Sequence, residues 1–354
     1  MTIFIAIVSL IVLVILHELG HFYFAKKFGV RVDEFGIGYP PRIWGKKIRG
    51  TLWSLNWLPL GGFVRIYGHE KRIDEPDSFS TKSFWQKAII ILGGVAVFWV
   101  VAAILLTVVM MIGAPTLIED GDTGFADPKV QIAAVSKDSP ADQLGLKIGD
   151  VIKSMNGVTL DKVGMVQEIT KNNLGQEVPI TIQRGRENLD LTITPRTDFP
   201  GGEGAMGVAL FRTALRQTPW YLAPIEGVKA TWNLTAATVL GWGAVIGGLV
   251  SGEGLPVGVE VKGAVGIFEL FNGIGSLGVS YFLQLIAVIA ISLALINSLP
   301  IPALDGGWFL FLVIEKLRGK PLNDKLIAKI SVSFFFVLII LMIWITARDI
   351  MNLL

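Results

Sequence analysis

Apolar positions in this chain fall mostly in long unbroken runs rather than in the three-to-four or alternating spacing of a soluble core. Four runs have the length and lack of charge of membrane spans. They are residues 3–25, Ala88 to Ile112, Val279 to Leu299, and the shorter Ser331 to Ala347. The first run lacks a basic start and a small-residue cleavage site, so it is expected to stay in the protein rather than be cut away as a signal peptide. A fifth run, Leu234 to Val250, is apolar but rich in glycine. It is expected to lie partly immersed at the membrane surface rather than to cross.

Between the second and third spans the pattern changes. Val130 to Val135, Val151 to Met155, Val178 to Gln183 and Leu189 to Thr194 alternate like strands, with turns at Asn156-Gly157 and Arg184-Gly185. Lys162 to Asn172 fits a helix. Between the first two spans, Ile48 to Trp57 and Phe63 to Tyr67 resemble two short strands joined through Pro59, Gly61 and Gly62. The expected fold is a multi-span α-helical membrane protein of four transmembrane helices, with a membrane-associated β-hairpin and an inserted, mostly-β soluble domain. Its expected divisions are 1–112, holding the first two spans and the β-loop at 48–67; 113–212, the soluble domain; 213–278, a membrane-surface segment; and 279–354, the last two spans.

Charge orients the spans. Lys26, Lys27 and Arg31 follow the first, Lys82 and Lys87 precede the second, and Lys316, Arg318, Lys320, Lys325 and Lys329 lie between the third and fourth. The second exits into Glu119, Asp120, Asp122 and Asp127. The positive-inside rule then puts both basic loops in the cytosol, and both termini and residues 113–278 outside.

Composition agrees with a membrane protein carrying some soluble mass: 52% of residues are hydrophobic and 17% charged, with a mean hydropathy of +0.60. A net charge of +2 gives no sign of a nucleic-acid partner, and with no cysteine neither disulfides nor thiolate zinc sites are available. Composition says nothing about oligomeric state.

Within the first span stands His17-Glu18-Leu19-Gly20-His21, which holds two of the chain's three histidines. Two His four apart share a helix face about 6 Å apart along the axis, which suits two corners of a zinc tetrahedron with the Glu alongside as general base. Ionisable residues inside a span are expensive unless they share a partner, and a divalent cation is one. Counted from Lys26 at helical rise, the histidines lie roughly 8–14 Å into the bilayer from its cytosolic face.

A catalytic zinc needs a third protein ligand and one open position. His69 lies in the charged stretch His69 to Asp77 and reads as a loop residue. Asp305 ends the uncharged stretch that follows Leu270, within Asn297-Ser298-Leu299-Pro300-Ile301-Pro302-Ala303-Leu304-Asp305-Gly306-Gly307. By itself it would pass for a helix cap. At the same depth as an incomplete zinc site it is the expected third ligand. With four spans it reaches the histidines, and with five it would lie on the opposite side. Neutral His ligands and an ionised Asp leave one positive charge on the centre, offset by Glu18. Two other classes remain open: a non-catalytic membrane scaffold, which the intact Glu18 disfavours, and a metal-ion transporter, which lacks a second ionisable relay.

These two motifs, in this order and on either side of a soluble domain, resemble the site-2 protease family of intramembrane zinc metalloproteases. Gly61-Gly62 and the run Val261-Lys262-Gly263-Ala264-Val265-Gly266-Ile267 are similar to the family as well. Ser139 to Asp150, with Asn156-Gly157, resembles a PDZ domain of the circularly permuted bacterial type. The resemblance implies a protease of the bacterial cytoplasmic membrane with Zn2+ as cofactor, its site near the cytosolic face. Its substrates would be single-span membrane proteins, such as anti-sigma factors already trimmed by another protease, or signal-peptide remnants. Asn297, Gly61 and Gly62 would contact substrate, Asn297 through backbone hydrogen bonds unless it caps its own helix. The β-loop would offer an edge strand to an extended substrate. The PDZ-like domain would bind a peptide end, exclude bulky ectodomains or serve as a spacer. The chain departs from the family pattern at Phe98, where an Asn is usual, and at Ala264, where a Pro is usual.

Overall fold

The computed structural model describes residues 2–353 except 186, 201–202, 253–262, 264–265, 268–269 and 272–277. Five helices are long and apolar enough to cross a membrane: α1 (Thr2–Lys27), α2 (Phe84–Ile112), α5 (Ala223–Ser251), α6 (Val279–Ser298) and α8 (Asp324–Leu353). A shorter helix, α7 (Asp305–Arg318), starts at the second motif.

α2 is the centre of the helical part and packs against α1, α5, α6 and α7. Its start is set by a capping box between Ser83 and Gln86, which satisfies two otherwise orphaned N–H groups. Where α2 meets α6, Ala102 faces a line of small residues, Ala287, Ala290 and Ala294, all buried. Lipid supplies little hydrophobic drive between helices, so small side chains that let backbones close up are what hold such a contact.

The described part of the segment 213–278 is mostly helical. Its glycines leave α5 a single 29-residue helix. The first half of α5 runs antiparallel to α2. Gly227 lies against Thr107, so closely that a side chain would collide, and eight residues further on Thr235 accepts a hydrogen bond from Trp99 at 3.3 Å. Much of the Val261 to Ile267 run, Ala264 included, lies outside the described residues. The part that is described is pinned to the far end of α8, where Asp349 accepts from the N–H of Gly263 at 2.8 Å and of Gly266 at 2.9 Å.

The β-loop is larger than a hairpin. β1 (Val32–Ile48) pairs with β2 (Thr51–Ile66), and both expected strands of the hairpin are stretches of β2. Residues 34–37 have partners on both sides: Gly36 is paired with Ser54 and with Phe63, and Ile37 with Leu55 and with Gly62. The bend that brings the two halves of β2 around β1 falls at Pro59 to Gly61, where Gly61 has a φ of +83° that a side chain would strain.

The inserted domain is one antiparallel sheet, ordered β3 (Ala114–Ile118), β9 (Val208–Arg216), β4 (Ala126–Val135), β5 (Val151–Met155), β7 (Val178–Arg184), β8 (Glu187–Ile193), with the short β6 (Val158–Thr159) on β5. A one-turn helix, α3 (Pro140–Gln143), and α4 (Val163–Asn172) complete it. Its core is built from Ile132, Ile152, Met155, Ile180, Ile182 and Ile193, closed by Val166 of α4. β9 carries the sheet past the expected boundary at 212. Its partner β3 follows α2 after Gly113 alone, so the sheet is fastened directly to the end of α2. Buried Arg212 tightens that joint by donating to the carbonyls of Glu119 and Asp161, both at 2.6 Å.

Candidate metal centre

Three side chains from helices far apart in sequence converge. His17 and His21 lie on one face of α1, and Asp305 stands in the first turn of α7. His17 and His21 are 7% and 6% exposed. Their Nε2 atoms are 3.2 Å apart, and Asp305 Oδ2 is 3.3 Å from the first and 3.5 Å from the second. Among the described residues this is the cluster of His, Asp and Glu groups close enough to share a metal ion.

The geometry fits zinc. A tetrahedron with arms of about 2.0–2.1 Å has edges of about 3.3–3.4 Å, and the three separations match one of its faces. Two imidazole nitrogens at this distance must share a proton or face a cation. His21 Nδ1 lies 2.8 Å from the carbonyl of Ile90. A carbonyl only accepts, so Nδ1 carries the proton and Nε2 presents its lone pair to the centre. Asp305 does not cap α7, whose N-cap is Leu304, and its buried Oδ2 has no hydrogen-bond partner. The cap role that sequence left open is therefore absent. The close turn before Asp305 is shaped by Gly306 and Gly307, where any side chain would run into the carbonyls of Leu299 and Ile301.

The close approach of α1 and α2 was not legible from spacing alone. A Cβ on Gly20 would come within 2.6 Å of the Gly93 carbonyl oxygen and 2.8 Å of the Gly94 Cα, and one on Gly94 would fall on His21 Nε2 itself. Gly94→Ala should therefore displace the His21 ring and lower zinc affinity by about 10–100-fold, the scale seen when a ligand's orientation is disturbed. Competition with a chelator measures it, and unchanged affinity would show that α2 can yield. Phe98 stacks on the His17 ring, with centroids 4.7 Å apart and planes 16° from parallel. The departure at this position thus puts an apolar ring where a polar group is usual, and the ring holds a proposed ligand in orientation.

Glu18 faces the β-loop. A Cβ on Gly62 would lie 3.8 Å from Glu18 Cγ and 3.7 Å from Ile15, and one on Gly61 3.2 Å from Val14. β2 thus lies directly on the turn of α1 that carries the motif, and the two glycines permit that approach. Asn297 donates from Nδ2 to the Leu293 carbonyl of its own helix at 2.9 Å, leaving Oδ1 as its free acceptor. His69 stays out of the centre, packed against Phe79 and Trp308, where burial pushes its pKa down to about 4.

Two buried His, a half-buried carboxylate and an adjacent Glu form the donor set of a hydrolytic zinc centre set among apolar helices. Residues 5–342 match the model of peptidase family M50. The chain is 31% identical over 353 residues to a candidate zinc metalloprotease of Clostridium perfringens, covering 99% of this chain and 98% of the relative. It is 30% identical over 336 residues to another of Nostoc sp., covering 92% and 89%, and 26% identical over 421 residues to the regulator of sigma-E protease RseP of Salmonella typhimurium, covering 90% and 91%. A solved PDZ domain from Listeria monocytogenes aligns with 25% of this chain and 93% of its own at 22% identity, with a TM-score of 0.22. The chain belongs to peptidase family M50, the site-2 proteases. It is a multi-span metalloprotease of the membrane with zinc as its cofactor.

Proposed function

We propose that the chain hydrolyses peptide bonds within or beside the transmembrane segments of single-span membrane proteins, as a step of regulated intramembrane proteolysis. The observation that carries this reading is the convergence of His17, His21 and Asp305 between apolar helices, with Glu18 beside them facing a β-strand. His17, His21 and Asp305 are the proposed zinc ligands. Zinc held there would supply an activated water at neutral pH and a Lewis acid for the scissile carbonyl. Glu18 takes the proton from that water and delivers it to the leaving amine. Phe98, the Gly20–Gly94 contact and the apolar helices around them keep bulk water out.

A helical substrate hides its peptide bonds in its own hydrogen bonds and must be drawn out before attack. The stretch 62–66 of β2 pairs with β1 on one side and lies on α1 next to Glu18, so its other edge is placed to receive an extended substrate. Asn297 Oδ1 is the acceptor available for a substrate N–H. Gly61→Val puts a β-branched residue at positive φ against Val14. It should lower cleavage by about five- to thirtyfold, from strain of the order of 1–2 kcal/mol, with zinc content unchanged. Zinc loss in this variant would make Gly61 a support of the metal site instead.

Four full crossings are the topology best supported. α2 ends at Gly113 beside β3, and α6 is also in contact with β3, so the chain leaves and re-enters the helical part on one side of it. α5 would then lie along α2 without counting as a further crossing. The basic loops favour a cytosolic position for the end holding the metal centre, and the PDZ-like domain and both termini would lie outside, in a bacterial cytoplasmic membrane. A groove of about 550 Å³ between α4 and residues 204–210 favours peptide-end binding by that domain over a passive spacer. Trimmed anti-sigma-factor-like proteins and signal-peptide remnants are the substrate classes that suit such a site. Membrane proteomics of cells carrying wild type or Glu18→Gln tests the reading. Single-span fragments should accumulate with the variant, and accumulation of soluble proteins alone would overturn it.

A further inference from the structure

At the end of the helical part where α2 begins, α7 ends and α8 begins, a cavity of about 250 Å³ is lined by Arg72, Lys87, Lys316 and Lys320, with Phe84 and one carboxylate, Glu315. Four cations against one anion leave an excess of three positive charges. Among the described residues only Arg72 of the four lies within ion-pair distance of a carboxylate, Glu315 at 3.5 Å. Lys316 instead stands over the Phe84 ring, 4.0 Å from its centroid. Even an open, shallow cavity with this surplus raises the local concentration of anions.

Its surroundings say which anion. α2 has no charged residue from Ala88 to Ile112, so Lys87 marks the membrane boundary. Beside it stand two exposed apolar side chains: Trp85, 68% exposed with its ring 5.2 Å from Lys316 Nζ, and Leu317, 82% exposed, the next residue after Lys316 in the chain. A soluble anion has no use for such neighbours, whereas an amphipathic ligand needs cations for its headgroup and apolar groups for the carbons behind it. Basic pockets between membrane helices are suited to lipid headgroups on these grounds.

We propose that this cavity binds the phosphate of an anionic phospholipid, with Trp85 and Leu317 against the start of its acyl chains. The site is separate from the metal centre, and the proposal does not depend on catalysis. Bound lipid would join the start of α2 to the corner between α7 and α8, which the chain itself links through Leu322 N–H to Glu315 at 2.8 Å and Arg72 N–H to Asp324 at 3.0 Å.

The full chain in phosphatidylcholine nanodiscs doped with phosphatidylglycerol tests this, with retained lipid counted by native mass spectrometry. Wild type should keep one phosphatidylglycerol per chain. Replacing Lys87, Lys316 and Lys320 with Gln should weaken retention about a hundredfold, at about 1 kcal/mol for each cation at the surface. The matching Arg variant should keep it. Lys320→Gln alone, at an exposed position, should weaken retention about fivefold, which covers the case of a triple variant that misfolds. Lys46→Gln with Lys47→Gln, exposed on β1, should change nothing. The proposal falls if the triple Gln variant or Lys320→Gln holds the lipid like wild type. It falls too if the β1 variant loses as much, or if millimolar inorganic phosphate displaces the lipid, which would make the ligand a soluble phosphate.

Discussion

Glu18→Gln should keep its zinc and lose cleavage of a single-span reporter by about 10²–10⁴-fold, the usual contribution of a positioned acid–base group. The amide has the size of the carboxylate, so the packing of α1 on Gly62 is undisturbed. What is lost is the ability to take a proton from the attacking water and return it to the amine. Glu18 is not among the three groups that close on one another at 3.2–3.5 Å, so metal content should not change. The two readouts together separate a base from a ligand. Cleavage at the wild-type rate removes Glu18 from the mechanism, and loss of zinc would make it part of the metal site.

The second large effect is expected at Asp305. Its carboxylate is the only anionic member of the three, and without it two neutral imidazoles would hold a divalent ion in a weakly polar setting. Asp305→Ala should lower zinc affinity by more than about a hundredfold, above the 10–100-fold that follows loss of an outer-shell partner, and abolish cleavage with it. Metal analysis of the purified variant decides the matter, because stoichiometric zinc would show that another group completes the site. Asp305→Glu, with the same charge but a longer arm, should recover part of the binding.

The convergence of His17, His21 and Asp305 was largely legible in the sequence because its constraints are local and chemical. Two His at a helical spacing inside an apolar run leave few alternatives, and the need for a third ligand at the same depth points to Asp305. The strands of the inserted domain were legible for a similar reason, since Val151 to Met155 or Val178 to Gln183 shows its buried face in its own alternation. What spacing could not show was contact between distant backbones. Gly20 and Gly94 look like ordinary span glycines until α1 and α2 are laid together. β1 was missed because Gly36, Gly38, Pro40 and Pro41 break the strand pattern, and it is stabilised by partners on both sides rather than by its own propensity. β3 and β9 are short or sit between segments of other character. The surface reading of α5 rests on its glycines and on the parity that keeps Asp305 on the side of the histidines, neither of which shows how long its helix runs. In an apolar environment unpaired backbone groups are costlier than glycine's flexibility, and the helix persists.

The glycine contact between α1 and α2 also bears on traffic. Among the described residues, backbone lies against backbone on that flank and Phe98 lies over His17, so the α2 side of the metal centre is closely packed. On the proposed function, a polypeptide would arrive and depart by way of the β-loop, and both halves of a cut chain would leave along the path the intact one took. Turnover would be paced by clearance of that path, and fragments still lying along β2 would compete with the next chain for it.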